Sequence, residues 1–151
     1  MWDGSYFVRT SLKALGLQIQ LGHCGTPCPN PHPGPSSFVV IHINGLHFVN
    51  VSFCNCALAP HPREQLLHHE WFPATVHKPH TCATFQVLRH FHLQSLQSKI
   101  STIHFYNALE RETDNTGLQP PPVRVHILVS GITFNDLFIS VPVHLFPSYH
   151  P

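Results

Sequence analysis

Three thiols and one imidazole carry the most legible chemistry in this chain: His23, Cys28, Cys54 and Cys56, an H-x4-C…C-x-C set. Thiolate sulfur binds Zn²⁺ at about 2.3 Å and imidazole nitrogen at about 2.0–2.1 Å, both within a tetrahedron. Four such donors complete the shell and leave no position for a substrate or a hydroxide. A metal held this way supports the fold and does no chemistry. Cys54 and Cys56 point to the same face of a strand, but on a straight strand they stand too far apart to share one ion comfortably. A bend at Asn55, a residue type that tolerates the left-handed region, is expected to bring the sulfurs together. His23 and Cys28 come from a Gly- and Pro-bounded loop that can fold over them. Binding would deprotonate the cysteines and couple metal affinity to folding.

The competing reading takes these residues as ordinary buried cysteines and a surface histidine. Cys24, beside His23, can replace either His23 or Cys28 in the shell. Cys82 reads as a small buried hydrophobe. His42 and His47 can form a second metal pair across a hairpin, but a polar pair on an open sheet face is the reading preferred. His68, His69, His90 and His92 read as solvated helix surface. No Ser or Cys is spaced with a His and a carboxylate as a nucleophilic site requires. The carboxylates, Asp3, Glu64, Glu70, Glu110, Glu112, Asp114 and Asp136, supply a phosphoryl-transfer metal site poorly. The chain is therefore expected not to be an enzyme, with a zinc hydrolase disfavoured by the closed shell.

Composition narrows the class further. A chain of 151 residues is enough for one domain with a real core. Charged residues make up 10%, well below the usual share of about 25%. Lys plus Arg number 8 against 7 Asp plus Glu, so no general field draws the chain to nucleic acid. Five cysteines, an odd number, argue against a disulfide framework. No secretory leader is visible, and no stretch reaches the roughly 18 apolar residues of a membrane span. A reducing compartment with metal-bound thiols is the default, with no membrane partner.

The elements that would position the four donors are also partly legible. Leu15, Leu17, Ile19 and Leu21 alternate, the period of a half-buried strand. Residues 22–37, with Pro29, Pro31, Pro33 and Pro35, read as a loop. Phe38–Ile43 and Leu46–Phe53 flank Asn44-Gly45, which predicts a two-residue type I′ hairpin pairing Ile43 with Leu46, His42 with His47 and Ile41 with Phe48. A short helix is expected over Arg63–Glu70, ended by Trp71-Phe72-Pro73. From Thr81 the spacing turns helical through Phe85, Leu88, Phe91 and His92, with Thr81 or Thr84 as cap. A second helix carries Ile100, Ile103, His104 and Leu109, and Gly117 stops it. Past Arg124 the chain is apolar, with Asp136 its one charged residue, and suits no soluble tail. The fold class is α+β: a small zinc-stabilised β-hairpin module, two α-helices, and an irregular apolar C-terminal tail, divided as residues 1–117 and 118–151.

Beyond these patterns, ordered blocks of sequence resemble the CxC-type cysteine-cluster domain associated with Kyakuja–Dileera–Zisupton (KDZ) transposases. The blocks are Trp2-Asp3-Gly4-Ser5-Tyr6-Phe7, Thr10 to Leu17, Gln20-Leu21-Gly22-His23, Cys28-Pro29-Asn30-Pro31, Asn44-Gly45-Leu46-His47 and Phe53-Cys54-Asn55-Cys56. They continue through Gln65-Leu66-Leu67, Trp71 to Thr75, Ala83-Thr84-Phe85, Phe91-His92-Leu93, Ser98-Lys99 and Thr113 to Gly117, covering about residues 2–123. The resemblance implies a non-catalytic zinc-binding accessory domain, with His23, Cys28, Cys54 and Cys56 on the recurring Gly-His, Cys-Pro and Cys-x-Cys elements. Cys24 and Cys82 lie outside that pattern. Transposon DNA or a transposase-related protein are the partners it implies, and the nucleus the location. A protein-interaction scaffold, or a transposon fragment without DNA affinity, is the alternative. Family members carry further cysteines and histidines upstream of Trp2, so an N-terminal truncation is expected. The apolar sequence past Arg124 departs from the family, as a translated intron or frame change would.

Overall fold

The β-branched run Val39-Val40-Ile41 is buried at every position. Such a run suits a strand covered on both faces, and in the computed structural model it lies at the centre of the fold. The structure describes residues 4–5, 10–23, 26–75 and 77–114. The expectations for Trp2, Asp3, Cys24, the Gly117 stop and the tail 118–151 lie outside the described residues.

The elements run β1 (Gln18–Gln20), β2 (Pro31–Pro33), β3 (Val39–His42), β4 (Gly45–Phe48), β5 (Asn50–Cys54), α1 (Pro62–His68), β6 (Trp71–Pro73), β7 (Thr81–Thr84), α2 (Phe85–Ser98) and α3 (Thr102–Thr113). The class is α+β. One sheet has the order β4-β3-β7-β6, with β3 and β7 parallel; the other has the order β1-β5-β2, with β1 and β5 parallel. The two faces of the larger sheet bury different clusters. Val39, Ile41 and Ala83 pack with Val87, Leu88, Phe91, Phe105, Tyr106 and Leu109 of α2 and α3. Val40 and Cys82 pack with Leu21, Val51 and Phe53 around β5 and with Leu66 of α1.

Several sequence expectations are corrected. The hairpin forms, but its register is Val39–Phe48, Val40–His47, Ile41–Leu46 and His42–Gly45, two residues away from the expected pairing. Ile43 and Asn44 therefore make the turn. Type I′ needs positive φ at both central residues, yet among the described non-glycine residues only Glu70 and Lys99 have it. Gly45 takes the unusual conformation instead, at φ +123°. The run expected as one strand from Leu46 to Phe53 is two, because the chain leaves the β4 ladder at Val49, whose N–H donates to Phe38 O (3.1 Å). That step delivers β5 to the centre of the second sheet.

At the N-terminal end, the alternation of leucines is only half a strand. Residues 11–17 fold back on themselves through Leu15 N–H to Ser11 O (3.1 Å) and Leu17 N–H to Leu12 O (3.1 Å). Leu15 and Leu17 stay exposed, whereas Ile19 is half-buried and Leu21 fully buried. Within the expected loop, Pro31–Pro33 pairs antiparallel with β5 as an edge strand, a place where proline is tolerated. Trp71-Phe72-Pro73 follows the expected short helix, but as strand β6.

Thr81 belongs to β7 and not to a helix, since Thr81, Cys82 and Ala83 pair in parallel with Val39, Val40 and Ile41. Thr84 is the N-cap of α2, its hydroxyl accepting the Val87 N–H at 3.3 Å. In α3 the buried face is Phe105, Tyr106 and Leu109; Ile103 and His104 are exposed. Ile100 lies before α3, beyond the left-handed Lys99 that ends α2, and packs against the first cluster from the connection. Among the described residues no helix is long and apolar enough to cross a membrane.

Candidate metal centre

The C-terminal end of β5 and the chain that follows β1 meet at one point. Leu21 N–H donates to Ser52 O (2.8 Å), extending the β1–β5 ladder by one residue. The chain then turns away at Gly22 (φ +92°). His23 follows, its carbonyl accepting both the Thr26 N–H (3.0 Å) and the Thr26 hydroxyl (2.8 Å). Cys28 comes up on the other side of β5, just ahead of β2, whose Pro31 pairs with Cys54.

Beyond Cys54 the chain bends, though not through a left-handed Asn55 as expected: Asn55 is not among the residues with positive φ. Asn30 holds the bend. Its carbonyl accepts the Asn55 N–H (3.1 Å), and its side-chain amide donates to Asn55 O (2.8 Å). The Cys56 N–H is thereby turned back toward the Cys54 sulfur at 3.5 Å.

His23, Cys28, Cys54 and Cys56 converge, with one donor atom from each and all of them within 4.8 Å of one another. A tetrahedron with zinc–sulfur bonds of about 2.3 Å has S···S edges of about 3.8 Å and S···N edges of about 3.6 Å. Cys28 Sγ and Cys56 Sγ are 3.8 Å apart, and Cys56 Sγ lies 3.6 Å from His23 Nε2. His23 Nε2 and Cys54 Sγ stand at 3.2 Å, slightly inside that edge. Cys28 and Cys54 are buried, while His23 and Cys56 are half-buried. The donor set suits a soft divalent ion. The group can hold one metal ion.

The electrostatics separate two of the thiols. The Cys54 thiol is drawn down to about 7, chiefly by the hydrogen bond from the Cys56 N–H and against the effect of burial, with Cys56, Cys28 and His23 side chains adding to the shift. The Cys56 thiol is pushed up to about 11 by its side-chain contact with Cys54, by burial and by Cys28. One of the adjacent thiols thus ionises readily beside a partner that keeps its proton; a shared cation would favour the thiolate of both.

Cys24, the competing ligand, is outside the described residues. Cys82 is not in the group: it lies in β7, inside the second core cluster, where burial pushes its thiol far up. His42 and His47 are not direct cross-strand partners. Their ring centres are 6.5 Å apart, and each ring has its own neighbour, His42 Nδ1 at 2.9 Å from Thr84 Oγ1 and His47 Nε2 at 2.8 Å from Asn44 Oδ1. Burial, then the His42 ring, lowers the His47 pKa. His68 and His90 are exposed, as expected of surface residues, and His69 and His92 are half-buried.

Sequence reasoning gave no role to Gln65, a fully buried amide hydrogen-bonded to Cys54. Its position beside Leu66 on α1 carries no local signal of that contact.

These features define a class, a small α+β domain in which a loop and a strand end bring one histidine and three cysteines together in a group able to hold one metal ion. Residues 12–117, well over half of the chain, match the family described as CxC2-like cysteine cluster associated with KDZ transposases, and the chain belongs to that family. Neither curated proteins nor solved structures match it.

Proposed function

We propose that this chain is a non-catalytic, zinc-binding accessory module of a KDZ-transposase-related protein, its domain spanning residues 1–117. One Zn²⁺ on His23, Cys28, Cys54 and Cys56 would tie the chain after β1 to the exit of β5. The observation that carries this reading is the convergence of those donor atoms within 4.8 Å, at spacings close to tetrahedral edges. When bound, the ion would supply cross-linking alone, because four protein donors fill its shell. The role that fits such a module is recognition of DNA or of a transposase-related protein in the nucleus.

A second reading, a protein-interaction scaffold without DNA affinity, is favoured by one observation: the net charge is only +1. Zinc stoichiometry on the reduced full chain tests the centre, with one ion per chain expected and its loss in Cys54→Ser and Cys56→Ser. A chain that takes up no metal refutes the proposal. A mobility shift with duplex DNA over a salt series separates the two recognition roles. Phosphate contacts release counterions, so a true DNA complex weakens steeply as salt rises. No shift even at low salt selects the scaffold.

A further inference from the structure

We infer that Gln65 is the positioning residue of this metal centre, a carboxamide that clamps both main-chain groups of Cys54 and thereby aims its sulfur. The inference deepens the zinc reading above and rests on it. Gln65 Oε1 accepts the Cys54 N–H at 2.8 Å, and Nε2 donates to Cys54 O at 2.9 Å and to Pro60 O at 2.8 Å. The side chain is 1% exposed, and no described buried side-chain polar atom lacks a partner.

The location explains why an amide is needed. β1 pairs with β5 as far as Ser52, with Leu21 adding one further bond, and then turns off at Gly22. Backbone groups of alternate strand residues point the same way, so the N–H and C=O of Cys54 face the side that β1 has just vacated. Left alone and buried, each would carry a desolvation penalty. Gln65 reaches across from α1 and stands in for the missing residue of β1.

Packing alone does not call for this side chain. A Met of similar length would fill the same space beside Leu66 and bury no polar atom, but it would leave the Cys54 main chain unheld. What the amide adds is orientation. It fixes the backbone that carries one ligand, while its bond to Pro60 O ties the segment between Cys56 and α1 to the same point. Outer partners of this kind typically alter metal affinity by roughly 10–100-fold when removed.

The test uses the reduced full chain, zinc competition against a chromophoric chelator, and the absorption spectrum of the Co²⁺-loaded protein. The variants are Gln65→Met, which keeps the volume, and Gln65→Glu, which keeps an acceptor for the Cys54 N–H but loses both donors. Val87→Ala, a destabilising change in the opposite core cluster, is the control. Wild type is expected to bind one zinc. Gln65→Met is expected to bind it between roughly 10- and 100-fold more weakly with altered thiolate-to-cobalt bands, and Gln65→Glu to fall in between. Val87→Ala is expected to keep both the affinity and the spectrum. Wild-type affinity and spectrum in both Gln65 variants overturn this inference and leave the zinc reading standing. Should Gln65→Met not fold, Gln65→Glu decides alone. A wild-type chain that takes up no zinc overturns both.

Discussion

Gly22 lies so close to Cys54 that a Cβ placed on it would stand 2.6 Å from the Cys54 Cβ. No real pair of Cβ atoms tolerates that approach. The contact is made where the backbone is already at φ +92°, a region that costs an L-residue roughly 1–2 kcal/mol. Gly22 is thus what lets the chain after β1 bring His23 onto the end of β5.

Gly22→Ala should therefore damage the centre from the backbone side. The cost exceeds the roughly 1–2 kcal/mol of conformational strain, because Cys54 or the loop must also move. A lower melting temperature and weaker zinc uptake than wild type are expected. A variant equal to wild type in both would show that the close approach does not hold the site.

The donors themselves make a sharper case. In Cys54→Ser or Cys56→Ser a soft thiolate gives way to a hydroxyl, so zinc affinity should fall by more than the roughly 10–100-fold typical of an outer partner. Cys82→Ser should leave zinc stoichiometry unchanged, since Cys82 lies outside the convergent group. Metal analysis of the three proteins, purified identically, distinguishes the outcomes. Equal zinc content in all of them would dissolve the assigned ligand set.

How much of this was readable in advance depended on whether the interaction was local. His23, Cys28, Cys54 and Cys56 could be picked out because the members of each pair lie close along the chain, and the fold has only to bring the two pairs together. The hairpin was readable as an element but not in register, because Asn44 does not take the positive φ that a type I′ turn on Asn44-Gly45 needs and the turn falls on Ile43-Asn44 instead. β7 was hidden. Thr81-Cys82-Ala83-Thr84 is covered on both faces and has no alternation to betray a strand. Gln65 was invisible for the opposite reason: a polar residue on a short helix reads as solvent-facing unless its distant partner is known.

Cys82 offers a test with a definite pH sign. Burial raises its thiol in the folded chain above the unfolded value near 9.0. A raised acid stabilises the fold below that unfolded value, and the contribution is lost progressively as pH rises above it. Stability should decline above about pH 9 in wild type and less so in Cys82→Ala, once each is normalised to its own value near neutrality. Residue-resolved alkylation at mildly alkaline pH should leave native Cys82 unlabelled until denaturant is added. Rapid labelling of the native chain would contradict its burial.

Thr84 serves two elements at once, capping α2 through the Val87 N–H and meeting His42 Nδ1 at 2.9 Å. Removing an N-cap typically costs about 0.5–2 kcal/mol. Thr84→Ala should fall in that range by denaturant unfolding, with Thr84→Ser restoring much of it. Unchanged stability in the alanine variant would mean that the cap contributes nothing net here.

Metal removal should open the molecule unevenly. The centre sits at the end of β5 and is joined to the second core cluster through Leu21, Phe53 and Leu66. The first cluster packs α2 and α3 on the other face of the larger sheet and includes none of the four donors. Local openings follow such divisions between packed units. Chelation should therefore lower the melting temperature while hydrogen exchange accelerates first in residues 26–34 and 54–60. The amides of Phe85–Ser98 and Thr102–Thr113 should keep most of their protection until global unfolding. Uniform loss across the whole domain would show that the two clusters fold as one cooperative unit and that the ion supports both.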